Sequence, residues 1–490
     1  MNAPAPNPFR LAGDAQIDRH EPLEFTFNGT RYVGFRGDTL ASALLANGVR
    51  VVARSFKYHR PRGIFTAGEE EPCALVETGA GPARVPNCRA TVIPLEKGLV
   101  AGSQNGWPTV NFDLGRAVDF THPLWPAGFY NKTFKWPSWK SWETLVRHSA
   151  GLGRPLDGPD PDHYEQVNAH CDLLICGGGP AGLMAALVAA EAGLRVILAE
   201  QGPHCGGVLN HENVDLEDQP GRYWAQQAVA RLRERSNVIL LENTVVAGVY
   251  DHNITTLLQT GQGTAWRECL WTVRPGHILL ASGAIEQGLI FPNNDRPGIM
   301  LAGALRHYLN RYAVLPGRKV VIATNNDSAY QTVFDLLQRE VPVTAVVDSR
   351  DAISPALEKR LRMAGTELLQ GARISDTRGF SGLNSVRIAG PDGADLGHRK
   401  CDLLAVSGGW SPRVHLLAHA RGSLRFDEPS QSFVPDRLPA AWSVTGAACR
   451  MQHLQQALDD AALSASRICE RLERRANGPP VPRVTRGLVE

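Results

Sequence analysis

CDLLICGGGPAGLMAALVAAEAGLRVILAEQ, residues 171–201, decides the fold. A continuous apolar run reads as a strand buried on both faces. A glycine turn follows, then an alanine-rich helical stretch, a second apolar run and an acid. Gly177, Gly179 and Gly182 make G-x-G-x-x-G inside a complete β-α-β unit. The first glycine permits a tight turn, the second lets the backbone approach a pyrophosphate, and the third lets the helix lie close to the sheet. Pro180 and Ala181 open the helix, whose positive end faces the diphosphate. Glu200, followed by Gln201, lies 18 residues beyond Gly182, where an acid holds ribose hydroxyls. A bound adenine dinucleotide is expected; the alternative is a Rossmann-like unit with an empty site. These residues do not choose between NAD and FAD.

Downstream stretches extend this unit into a fold with two dinucleotide-binding domains. HCGGVLN, residues 204–210, brings Gly207 and Val208 just after the Glu200 strand. ILLASGAIE, residues 278–286, is a buried strand ending in a turn at Ser282 and Gly283. WSVTGAAC, residues 442–449, is a late strand and small-residue turn through Gly446, Ala447 and Ala448 that returns to the first sheet and closes the nucleotide site. The first nucleotide domain is therefore expected to be discontinuous, over 168–300 and 398–475, with a tail at 476–490. Between its halves, at 301–397, lies a second β-α-β domain whose turn reads ATNNDSAY. Asn325, Asn326 and Asp327 crowd that turn where glycines belong, and Asp327 opposes a phosphate charge, although Asp348 survives at the end of the next strand. The second site is read as degenerate and unable to take up soluble NADH.

Upstream, residues 25–50 read strand, Asn28-Gly29 turn, strand and helix, with Asp38 as the helix cap and Gly48 as its stop. This is the rhythm of a plant-type ferredoxin, over a module at about 25–110. The loop that should carry Cys-x4-Cys-x2-Cys instead reads SFKYHRPRGIFTAGEEEPC, residues 55–73, with no thiol before Cys73. A cluster needs four ligands near one point, and this module has only Cys73 and Cys88, so none is expected. Two readings of the loop remain open. Lys57, His59, Arg60 and Arg62 could hold a flavin phosphate at a subunit seam, or the loop could be solvated and paired with Glu69, Glu70 and Glu71. Residues 1–24 read as a polar lead-in. Residues 111–167, rich in Trp and Pro, read as an extended, wrapping linker. Its Trp125, Trp136, Trp139 and Trp142 either pin the linker to its own chain or anchor a partner.

Composition narrows the function classes. With 490 residues, 48 glycines and a net charge of +2, the chain is a multidomain, enzyme-like protein with no global field for nucleic acid. No run of about 18 apolar residues crosses a membrane, and the N-terminus has no signal-peptide core. Nine scattered cysteines without a Cys-x2-Cys pair read as reduced thiols, and a cytoplasmic location is expected. No metal-ligand spacing and no nucleophile elbow appear. His277, His307, His415 and His453 are isolated, so no catalytic acid or base stands out.

Six further stretches carry a family resemblance. RSFKYHRPRGIFTAGEEEP (54–72), LVAGSQNGWP (99–108), PAGFYNKTFKWP (126–137), NNDRPGIMLAGALRHYLNRY (293–312), ATNNDSAY (323–330) and LLAVSGGWSPRVHLLAHARG (403–422) together resemble the alpha subunit of bacterial heterotetrameric sarcosine oxidase. Shorter relatives of this type resemble flavoprotein subunits of opine oxidases, hydrogen cyanide synthase and proline dehydrogenases. The family's alpha subunit is about twice as long and ends in a folate-binding, aminomethyltransferase-like domain. This chain resembles a short form without it, so folate chemistry is not carried over. The resemblance implies a division of labour. A partner beta subunit with FAD oxidises a secondary amine, FMN lies between the subunits, and this chain holds NAD or another adenine dinucleotide; further small subunits are possible partners. It implies nucleotide contacts at Gly177, Gly179, Gly182, Glu200, Gln201, Gly207, Val208, Val246, Ala447 and Ala448. Val208 departs from the small hydroxyl residue expected after the glycine pair.

Overall fold

The computed structural model describes residues 7–13, 15–124, 128, 133–151, 153, 158–261, 263–451, 453–476 and 478–487. The chain forms two compact units, one of residues 1–161 and 288–408, the other of residues 162–287 and 409–490.

The second unit is built on a seven-stranded sheet. Tyr164–Cys176 lies between Val196–Ala199 and Glu268–Leu280, all parallel. Val238–Leu241 adds a parallel edge, and Trp442–Val444 returns beside Glu268–Leu280, as expected of the late strand. Helix Pro180–Glu191 buries every residue from Ala181 to Ala190. An alanine-rich helix has little side-chain bulk, so its backbone approaches both the sheet and helix Leu454–Arg471, which supplies Leu458, Ala461, Ala465 and Ile468 to the same core. The expected tail is partly built in: Val484–Arg486 pairs with Asp215–Leu216, and Val481 and Val484 pack on this core.

The first unit holds two five-stranded sheets, besides a three-stranded and a two-stranded one. One of the larger two has the order Thr30–Arg36, Asp18–Phe27, Val100–Ser103, Leu75–Thr78, Val85–Arg89. The expected hairpin is present, with Phe27 opposite Thr30 and Asn28 and Gly29 both at positive φ. The helix cap differs from expectation. Thr39 caps Leu40–Ala46 in a capping box with Ser42, because the Asp38 carboxylate is committed elsewhere. Asp38 accepts from the Ser42 hydroxyl, the Phe35 N–H and the buried Arg10 guanidinium, 2.7 Å away. The lead-in is therefore not a loose polar segment: Arg10 is buried, and the first strand starts at Asp18.

The other sheet is all parallel: Ile299–Leu301, Leu403–Ser407, Val320–Thr324, Val343–Asp348, Glu367–Gln370. Ile299–Leu301, which straddles the expected boundary at residue 300, and Leu403–Ser407, expected in the first nucleotide domain, pair here instead. A fully buried strand reads the same in either sheet. The expected extended linker is also corrected. It contains a 3-10 stretch, Leu114–Leu124, and an α-helix, Trp139–Ala150. Trp125 lies outside the described residues.

Candidate nucleotide-binding site

The glycine turn of the second unit is shaped by what surrounds it. Gly177 sits at φ +112, and a Cβ there would lie 2.4 Å from the Ala281 carbonyl oxygen, so the turn needs glycine twice over. A Cβ on Gly182 would lie 1.9 Å from the Gly177 carbonyl oxygen, which leaves no alternative at the helix's closest approach. At Gly179 nothing lies within 4 Å of a built Cβ. Steric contacts within the chain explain the first and third glycines, while the second faces open space. Gly179 is also the N-cap of helix Pro180–Glu191, and no side chain caps that terminus. An uncapped helix start beside open space is a cradle for an anion. The residues present therefore fit a dinucleotide diphosphate.

The other expected contacts converge on this turn. Glu200 accepts the Gly178 N–H at 2.8 Å and the Gly202 N–H at 2.7 Å. Burial pushes its carboxyl above the ordinary 4.5, and these two N–H groups pull it back. Gln201 follows it, half-buried. Gly207 leans on Gly179, where a Cβ would come within 2.9 Å of the Gly179 Cα. The Ser282 hydroxyl donates to the Arg413 carbonyl, and the Arg413 N–H donates to the Gly283 carbonyl, which ties that turn down. Gly446 backs onto Ala181, with a built Cβ 2.9 Å from its side chain. Ala448 is buried beside it and Ala447 is half-buried. Val246 lies on strand Thr244–Val249, with its side chain packed on the apolar layer of the sheet. Val208 is exposed and offers no hydroxyl.

Three residues of this site went unread in the sequence. Gly178 is confined like Gly177, since a Cβ would meet the Cys205 sulfur at 2.6 Å; the run of three glycines was the available signal. Asp460 accepts from the Thr445 hydroxyl at 2.6 Å and from the Gly446 N–H, which holds the late turn against the helix. Glu242 accepts the Cys205 N–H at 2.9 Å and so fixes the loop that covers Gly178.

The second turn has the opposite content. Asn326 accepts from the Ser328 N–H and hydroxyl, so the first N–H of helix Ser328–Gln338 is already taken, although its N-cap Asp327 makes no side-chain cap bond. Its amide donates to Ser407 Oγ, 3.0 Å away. Arg350 bridges Asp327 at 2.7 Å and Asp348 at 2.8 Å, and the Tyr330 hydroxyl donates to Asp348 at 2.7 Å. The acid that would bind ribose is buried and committed within the chain.

In the first unit the basic loop is largely engaged. Arg60 pairs with Asp119 and Arg62 with Asp295, at 2.7 and 2.6 Å, so their partners are not the neighbouring glutamates. His59 is buried, with Nδ1 2.6 Å from Asp113 and Nε2 3.3 Å from the Ser149 hydroxyl, so it serves its own chain. Lys57 lies over the Tyr58 ring. A cavity of about 320 Å³ adjoins the loop and is lined by Arg54, Phe56, Arg62, Cys73, Asn105 and Asp295, among others. Glu71, unread as a key residue, is buried and accepts four N–H groups, from Phe65, Thr66, Cys73 and Ala74. Burial pushes the Cys73 thiol up to about 12, with Glu71 adding to the shift. Two cysteines supply half of the four ligands an iron–sulfur cluster needs, so the residues do not fit one.

Residues 20–106 match a family described as 2Fe-2S iron-sulfur cluster binding domain, and residues 172–273 match FAD dependent oxidoreductase. The sarcosine oxidase alpha subunit of Rhizobium meliloti (strain 1021) is 40% identical over 98% of this chain and 49% of its own length. That of Corynebacterium sp. (strain P-1) is 36% identical over 96% of this chain and 46% of its own. The chain thus spans about half the length of these curated relatives. Opine oxidase and hydrogen cyanide synthase subunits are more distant relatives. The L-proline dehydrogenase of P. horikoshii shares the fold, with a TM-score of 0.65 at 19% identity, covering 98% of this chain and 81% of that one. In sequence, over nearly its whole length, the chain is similar to about half the length of the sarcosine oxidase alpha subunits, and residues 172–273 carry the pattern of an FAD dependent oxidoreductase.

Proposed function

We propose that this chain is the nucleotide-holding subunit of a heteromeric flavin-dependent amine oxidase or dehydrogenase. The substrate class is a secondary amine or N-methyl amino acid. The C–H bond is oxidised in an FAD-bearing partner of the beta-subunit type, and an FMN site lies at the seam between the two. A flavin supplies the hydride and electron chemistry when bound. This chain's residues bind and orient. The Gly177–Gly182 turn and the uncapped helix start receive the diphosphate of NAD or FAD, and Glu200 receives the ribose. Lys57, Arg60 and Arg62 would contribute charge toward the FMN phosphate; a guanidinium has five donors, so a carboxylate partner does not exhaust it.

The observation that carries this reading is the contrast between an open first turn and a filled second one. A self-contained NAD(P)H reductase needs both turns open, and the Asn326 and Arg350 contacts stand against it. The test is to denature the chain purified alone, and again with the beta-type subunit, and to identify the released nucleotides. An adenine dinucleotide from the lone chain, with FMN and sarcosine-dependent flavin reduction only in the complex, supports the reading. NADH-driven flavin reduction by the lone chain would refute it. Arg60→Ala with Arg62→Ala should lower FMN content in the complex; undiminished FMN removes those residues from the proposed seam.

A further inference from the structure

One stretch of the first unit is rich in exposed apolar side chains and is fastened by hydrogen bonds to the loop beside it. Of the 28 large hydrophobic side chains that are exposed among the described residues, nine fall within residues 107–145. Phe120 is 87% exposed, Trp136 83%, Leu124 78% and Trp107 71%. Soluble surfaces scatter such residues singly, and a concentration of them marks a contact site. Helix Trp139–Ala150 sharpens the point. Trp139, Trp142, Leu145 and Val146 recur at helical spacing, yet none of its residues is buried. A twelve-residue helix is marginal by itself in water, and helices in proteins are held by packing of an apolar face.

The frame beneath this stretch is rigid. Arg54 is buried and donates to the carbonyls of Val110, His59 and Asn111. The His59–Asp113 and Arg60–Asp119 pairs fasten the strap to the thiol-free loop. Arg116 lies over the exposed Phe380 ring, which extends the apolar surface.

We infer that the strap of residues 107–124 and 133–150, beside the thiol-free loop, is the seat of the partner subunit, whose matching surface has an apolar centre. Exposed Trp and Phe on a fixed frame are the kind of anchors that dominate interface energy. The matched relatives are themselves named as subunits, which favours a protein partner over a lipid surface. The inference rests on the heteromeric reading above. It also explains what the thiol-free loop does, since its His59 and Arg60 hold the docking strap in place.

The test uses the full chain and the beta-type subunit of the same source. Two double variants, Phe120→Ser with Leu124→Ser and Trp136→Ser with Trp139→Ser, are compared with a control, Ile239→Ser with Met363→Ser, at exposed positions elsewhere. Each strap variant should weaken the complex at least about tenfold. Its circular dichroism and Tm alone should stay unchanged, and the control should bind as wild type. Amides of residues 133–150 should gain protection from hydrogen exchange on assembly. Wild-type affinity in both strap variants would overturn the inference while leaving the heteromer intact. So would strap variants that abolish only self-association, or only binding to phosphatidylglycerol-containing vesicles. If the wild-type chain forms no complex, the heteromeric reading itself fails.

Discussion

Two turns in this chain join a buried strand to a helix within a parallel sheet, and they are finished in opposite ways. At residues 177–182, glycines clear the space, and the helix start is left without a side-chain cap. At residues 324–328, Asn326 fills the same place, and Arg350 locks both nearby acids. The frame alone does not make a nucleotide site. What differs is whether the first N–H groups of the helix are offered to a ligand or satisfied within the chain.

The largest effect is expected from Gly182→Ala. Its new Cβ would meet the Gly177 carbonyl at the tightest contact in the turn, with backbone on both sides. Dinucleotide retention should vanish, and stability should fall by about 3 kcal/mol, measured by nucleotide release and chemical denaturation. Arg350→Ala probes the other turn. It leaves buried Asp348 with the Tyr330 hydroxyl and the backbone N–H of residue 350 and frees Asp327, at a cost of about 2 kcal/mol, since the arginine is partly exposed. Nucleotide content should not change; a gain of NADH binding would break the comparison.

Acid should act on the first nucleotide fold. His277 lies on the strand beside Trp442–Val444, hydrogen-bonded to Ser443, and burial holds its pKa down to about 4. Its neutral form is favoured in the fold, so its contribution is present above the ordinary 6.5 and is lost as pH falls toward 4. About 2 kcal/mol should go over that range, and His277→Asn should flatten the pH profile of unfolding. The smallest stability effect belongs to Gly179→Ala. Gly179 has φ −70 and open space, so stability should change by less than about 0.5 kcal/mol. Dinucleotide affinity should still fall about tenfold, because the methyl group stands where the diphosphate would lie.

The open turn was legible in the sequence because its requirements are local: glycines at fixed spacing, an acid at the strand end and an apolar helix. The spoiled turn was legible for the same reason, from Asn325, Asn326 and Asp327, although the clamp by Arg350 was not, since it depends on where a side chain reaches. Other features needed three dimensions. Thr39 rather than Asp38 caps its helix because Arg10, distant in sequence, claims the aspartate. Leu403–Ser407 pairs in the second sheet, and nothing in LLAVS distinguishes one buried sheet from another. Helix Trp139–Ala150 was obscured by the prolines before it and by the absence of a buried face. The role of Glu71 was hidden among three consecutive glutamates, only one of which folds inward to collect backbone N–H groups.

The most direct test of the account counts adenine dinucleotide per chain. The chain and its Gly179→Ala variant are purified under identical conditions and denatured, and the released nucleotide is quantified by chromatography. The account predicts one dinucleotide per wild-type chain and a marked loss in the equally stable variant. Two per chain, or full content in the variant, would contradict it.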